Sequence, residues 1–118
     1  MADADANAQT LADAAFTPLM PTPPVQDYPS THSSLGAAAA TALAHAFGSD
    51  RIAFELTSTS ALPASPARRF LSFSDAAREN ADSRVRAGIH FRFATQAGLA
   101  QGELVGRYAV QHILMPLH

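Results

Sequence analysis

Two short stretches of this 118-residue chain collect the groups that hold a tetrahedral oxyanion: Tyr28-Pro29-Ser30-Thr31-His32-Ser33-Ser34 and Ser83-Arg84-Val85-Arg86-Ala87-Gly88-Ile89-His90. The first feeds directly into an alanine-rich run. A helix starting there turns its unsatisfied first-turn amides and the positive end of its dipole outward, where an anion can sit. The hydroxyl of Ser30 and the imidazole of His32 can join those donors. Alone, the same residues read most simply as a helix cap. In the second stretch an arginine precedes a histidine by six residues. On an unbroken helix six steps of about 100° leave their directions about 120° apart, so they miss a common ligand. A turn near Gly88 lets them converge, with Arg84 clamping two oxygens and His90 approaching the central atom. The competing reading makes Arg84 and Arg86 solvated charges and His90 a core histidine beside Phe91 and Phe93.

Composition narrows the ligand. Net charge is -2, but residues 1–50 hold five Asp and no Arg, whereas residues 51–118 hold eight Arg against five acids. Fixed positive charge is thus confined to the second half, and it is too sparse for the basic stripe that nucleic acid demands. The absence of cysteine rules out disulfides and thiolate metal sites. Apolar residues are 47% and charged residues 15% of the chain, with 26 alanines, a composition suited to close-packed helices. Residues Met1 to Ala15 carry neither a basic nor an apolar signal segment, and no run is long enough to span a membrane. As written the chain reads as cytoplasmic, or as periplasmic or secreted if a signal lies upstream.

The elements that must position the two stretches follow. Residues 1–15 form an acidic N-terminal segment, partly ordered. From Phe16 to Tyr28, four prolines impose an extended connector. Leu35 to Phe47 is the clearest helix, with Ser or Thr as N-cap and Gly48 as its stop. Residues 51–67 read as a loop with one short extended piece. A second short helix is expected over Phe70 to Asn80, with Ser72 and Ser74 as caps. Ser83 to Leu114 is mostly helical, with Leu99, Val105, Tyr108 and His112 at helical spacing. Glycines at 98, 102 and 106 recur every four residues, so one helical face can admit a close neighbour. Phe47, Phe91 and Phe93 read as core. Arg68 and Arg69 read as a solvated pair, and Arg92 and Arg107 as exposed, with Arg92 a candidate for the pocket rim. His45, His112 and His118 have no zinc-like spacing.

Taken together, Pro29-Ser30-Thr31-His32 and Ser83-Arg84-x5-His90 resemble the second and third signature motifs of the phosphatidic acid phosphatase type 2 and vanadium haloperoxidase superfamily, and the flanking residues look like its haloperoxidase-related bacterial branch. The likeness runs from about Phe16 to Ile113. It implies an all-α fold: a partial helical bundle of three to four helices behind the Pro-rich connector, with residues 16–118 forming the C-terminal part of a phosphatase/haloperoxidase-like domain. It also implies roles. His90 corresponds to the nucleophile towards phosphorus or the histidine bonded to vanadium, and His32 to the acid-base histidine. Ser30, Thr31, Ser83 and Arg84 belong to the phosphate- or vanadate-binding segments. Vanadate is the implied cofactor for one activity, and a phosphate-containing small molecule the substrate for the other.

Three departures stand out. The superfamily's first motif, Lys-x6-Arg-Pro, has no counterpart in a chain without lysine. Thr31 replaces a glycine. Ala94 stands where the third motif often has an aspartate that fixes the histidine's tautomer, leaving Asp75 or Asp82 as candidates for that task. A chain short of two cations is expected to self-associate or to pair with a chain that carries them. The rival expectation is a non-catalytic helical fragment.

Overall fold

A computed structural model describes residues 11, 13–58 and 67–114. Most of the N-terminal acidic segment and the last four residues, with His118, lie outside the described residues.

Three helices carry the architecture, and α1 (Thr31–Ala46) comes first. It starts four residues earlier than the alanine run suggested, because no proline lies between Pro29 and that run and Ser30 already sits in extended backbone at φ -65°, ψ 115° as N-cap. The Ser/Thr/His residues of the first stretch are therefore the first turn of α1 itself. The helix closes at Phe47 and Gly48, where Gly48 adopts φ 69°.

The short extended piece expected within residues 51–67 forms one strand, and a second strand that begins at Ala67 pairs with it. β1 (Phe54–Thr57) and β2 (Ala67–Phe70) run antiparallel, with Phe54 opposite Phe70 and Glu55 opposite Arg69. A ring contact at 5.5 Å between Phe54 and Phe70 and the opposed charges favour this register, which the intervening Pro63 and Pro66 masked in the sequence. The pair is an appendage on an otherwise helical fold.

Ser72 caps α2 (Phe73–Arg86), its hydroxyl accepting the Asp75 N–H at 3.0 Å. A second cap comes from α1's end: the carboxylate of Asp50 accepts the Ser74 N–H at 2.9 Å and the Ser74 hydroxyl at 2.5 Å. The helix runs six residues beyond Asn80, the expected end, so Ser83 and Arg84 ride on its last turn. Gly88, at φ 74°, breaks the chain sharply before α3 (Arg92–His112).

Phe73 anchors the core with Ala40 and Ala77, packed by Ala44, Ile52, Phe54 and Leu99. On α3 the buried stripe is Ala94, Thr95, Gly98, Gly102, Gly106 and Val110. Of the residues at helical spacing, Leu99 is half-buried, while Val105 and Tyr108 are exposed. The glycine row admits the close neighbour expected of it: α1 lies there, and a side chain at those positions would meet its backbone at Ser30, Ser34 and Ala38. Phe47 and Phe93, expected in the core, are 64% and 56% exposed, and Phe91 is half-buried. With a core floored by alanine and glycine, three helices leave no room for those rings. Arg68 pairs with Glu79 and Arg92 with Asp82; both pairs are exposed, where solvent screening leaves them little to contribute. No helix among the described residues is long and apolar enough to cross a membrane.

Candidate functional site

The N-terminus of α1 and the turn between α2 and α3 meet, and the connector holds them together. Ser30 N–H donates to the Ala94 carbonyl at 3.0 Å, and Gly98 leaves room for the Ser30 carbonyl, so the start of α1 rests on α3. Asn80 Nδ2 donates to the His32 carbonyl at 2.8 Å, tying the same turn to α2. From the connector, Leu19 N–H donates to the Ala87 carbonyl at 3.0 Å and the Phe16 ring lies over Gly88, where a Cβ would fall 2.6 Å from ring carbon. Gly88 is thus required twice, by its positive φ and by that contact.

This scaffold brings His32, Arg84 and His90 into one electrostatic neighbourhood. His32 titrates below its ordinary 6.5, first because of desolvation and then because the charges of Arg84 and His90 act on it. Burial likewise pulls Arg84 below its ordinary value. The guanidinium Nε of Arg84 is buried and has no hydrogen-bond partner, the only such side-chain atom among the described residues. A desolvated, unsatisfied arginine donor is costly, and sites that keep one generally reserve it for a ligand. His90 is buried, 4% exposed, and Nδ1 lies 2.8 Å from Asp27 Oδ1.

At the start of α1 the hydroxyl of Ser30 does not cap the helix. Ser30 is fully buried and its Oγ accepts from Ser33 Oγ at 3.1 Å, so the Ser30 hydroxyl keeps its own proton for another acceptor. The first-turn amides, Thr31 among them, are left without a side-chain cap, as an anion site at a helix N-terminus requires. Thr31 is exposed, and its replacement of glycine does not disturb a helical first turn. Ser83 does not join the group: it is exposed, and its hydroxyl donates to the Asn80 carbonyl of its own helix at 2.7 Å.

Asp27 is the site residue that the sequence reading missed, and it corrects the expectation about Asp75 and Asp82. Those two are engaged by Arg78 and Arg92. A signal existed, since Asp27 is the sole charged residue between Asp13 and Asp50 and directly precedes the first stretch. Among the described residues no group of three or more His, Cys, Asp or Glu could hold a metal ion directly. His45 is exposed, and His112 lies against the Tyr108 ring at 4.4 Å. A groove of about 560 Å³ between the helices, floored by Ala37, Ala40, Ala77 and Leu99, contains none of the oxyanion residues; the polar convergence and not the groove marks the site.

The titration of His32 yields a prediction. Because its folded-state pKa lies below 6.5, the unfolded chain binds more protons between the two values, so stability falls as pH drops through 6.5 and levels off below the folded pKa. His32→Gln will flatten that decline, as followed by urea unfolding across the pH range. Wild type and variant with parallel pH profiles would refute it.

The family model described as the VCPO second helical-bundle domain matches residues 1–118. Among solved structures, the chain is similar to the crystal structure of the first bacterial vanadium-dependent iodoperoxidase, with 38% identity and a TM-score of 0.75 over 85% of this chain and 24% of that one. A holo-type bacterial vanadium-dependent chloroperoxidase is similar in fold at 23% identity and TM-score 0.70, over 86% of this chain and 23% of that one. Its apo-type counterpart is similar at 24% identity and TM-score 0.68, over 86% and 24%. No curated protein matches. The chain therefore spans about a quarter of the length of these enzymes. With the helical architecture and a family-model match over residues 1–118 in agreement, this chain belongs to the vanadium haloperoxidase family, as the second helical-bundle domain.

Proposed function

We propose that this domain supplies the vanadate-holding face of a vanadium-dependent haloperoxidase. The observation that carries the reading is the unpartnered, buried Nε of Arg84 beside a buried His90 and the uncapped first turn of α1. One imidazole and several oxygen-directed donors suit an oxyanion that brings its own oxygens to the metal, which is why no cluster of acidic ligands is needed. His90 would hold the group through Nε2, Arg84 would clamp its oxygens, and the Thr31 amide with the Ser30 hydroxyl would donate to the remaining ones. When bound, vanadate activates hydrogen peroxide toward halide. His32, kept largely neutral near neutral pH, can accept the proton that an incoming peroxide sheds and return it to a leaving oxygen. Fixed donors around the oxygens offset negative charge as it builds, in a site whose partial burial strengthens each of them.

The cation count is lower than the superfamily motifs call for, with Arg84 as the guanidinium beside the two histidines. The cations missing from these residues would come from outside them, from another segment of a longer protein or from a complementing chain. Leu35, Leu104 and Tyr108, all more than 60% exposed, are the apolar surface that such an association would cover.

Vanadate titration followed by thermal melting tests the reading, because a ligand that binds only the folded state raises stability by about 2.7 kcal/mol at a hundred times its Kd. The expected result is a concentration-dependent rise, with peroxide-driven bromide or iodide oxidation appearing once the complementing segment is added. No shift at millimolar vanadate sinks it. Phosphate ester hydrolysis without halide oxidation would transfer the same residues to a phosphatase in which His90 attacks phosphorus.

A further inference from the structure

We infer that Asp27, delivered by the Pro-rich connector, is the positioning residue for His90: it fixes the imidazole in the tautomer with the proton on Nδ1 and so leaves Nε2 free as the electron-pair donor. Asp27 Oδ1 lies 2.8 Å from Nδ1 and also accepts the Phe91 N–H at 3.3 Å. A carboxylate can only accept, so Nδ1 must donate, and in a neutral imidazole the lone pair then resides on Nε2. The second bond pins the carboxylate to the backbone next to His90, which prevents ring and acid from drifting apart. Asp27 is about one-third exposed, whereas the His90 ring is 3% exposed and has little freedom to find another partner. Among the described residues, Nε2 makes no hydrogen bond of its own.

The position where the superfamily's third motif carries an acid explains why the task moved. Ala94 has no exposed surface, and its carbonyl receives the Ser30 N–H. A carboxylate there would be buried against the start of α1, displacing the turn that bears His32. The connector instead brings an acid from 63 residues upstream in sequence to Nδ1 of the ring. The prolines that forbid a helix in the connector thereby acquire a purpose, because an extended run anchored at Leu19 and Ser30 keeps Asp27 within reach.

The inference deepens the vanadate reading and rests on it for its consequence, but the tautomer can be measured without any ligand. Long-range proton–nitrogen NMR of the full chain labelled at histidine nitrogen should show His90 protonated at Nδ1. In Asp27→Asn the carboxamide can donate to Nδ1, so the proton should move to Nε2, and vanadate affinity should fall roughly ten- to hundred-fold. Asp27→Glu, which keeps the acceptor, should retain the Nδ1 proton and recover part of the affinity. Asp82→Asn, on the acid paired with Arg92, should leave the His90 signals unchanged. If wild type has its proton on Nε2, or if Asp27→Asn loses vanadate with the tautomer unchanged, the positioning role is overturned. A tautomer switch in a chain that binds no vanadate upholds the role and removes only the vanadate reading. Should Asp27→Asn fail to fold, the wild-type and Asp27→Glu spectra still decide.

Discussion

Arg84→Ala will lose vanadate affinity by about a hundred-fold, close to 2.7 kcal/mol, while its melting temperature stays level or rises. The two halves of that expectation come from one observation. Arg84 Nε is buried and unpaired, and burial works against its charge, so the free domain bears a cost in keeping the guanidinium there. Alanine relieves that cost, and as a good helix former it suits the last turn of α2. The bound state loses the one guanidinium aimed at the oxyanion, with a charge-assisted and potentially two-pronged contact. Arg84→Lys separates charge from shape: a lysine keeps the charge but not the fork, and should recover about half of the lost binding energy. Melting curves with and without vanadate read both effects in one series. A variant that melts lower yet binds vanadate like wild type would show that Arg84 is packing and not site.

What could be read from the sequence divides along a physical line. Local instructions were legible: the alanine run, the Ser72 cap, the Gly48 stop and the proline connector each act over a few residues, and each appears as expected. The turn at Gly88 between Arg84 and His90 was legible too, although α2 extends to Arg86 before it and the burial of His90 was not. Interactions between distant segments were not legible. Nothing local joins Asp27 to His90, Asp50 to Ser74 or Asn80 to the His32 carbonyl. The strand pairing of Phe54 with Phe70 crosses a proline-bearing connection and left only a faint trace. Core assignment failed for a related reason. Large size and apolar character promoted Phe47 and Phe93, whereas the helix contact is so close that only glycine and alanine fit it.

That close contact sets the second large effect. A Cβ at Gly102 would run into the Ser34 carbonyl oxygen, and would also lie 2.8 Å from Ala37 Cβ and 2.9 Å from the Ser34 carbonyl carbon, all on α1. Two of these are backbone atoms of Ser34, in the first turn of α1, that no rotamer change can move. Gly102→Ala gains about 1 kcal/mol of helix propensity, but overpacking costs about 1–3 kcal/mol, or more against rigid backbone. Gly102→Val has no propensity gain to match and adds two methyl groups. It should cost about 3 kcal/mol or more, lowering the melting temperature by roughly 10 °C or more. Gly36, on the α1 face toward α2, provides the contrast: there the tightest neighbour is Asn80 Nδ2 at 3.1 Å, a side-chain atom that can give slightly while keeping its bond to the His32 carbonyl, so Gly36→Ala should cost less than Gly102→Ala. The site should feel the difference as well. Prising α1 from α3 strains the Ser30 to Ala94 hydrogen bond and carries the His32 turn away from His90, so Gly102→Val should weaken vanadate binding even at temperatures where it remains folded. Thermal melting of the three variants, followed by vanadate titration of those that fold, gives the ordering. A Gly102→Val protein that melts within a few degrees of wild type would mean that α1 does not rest on the glycine row, and the geometry that brings His32 to His90 would fall with it.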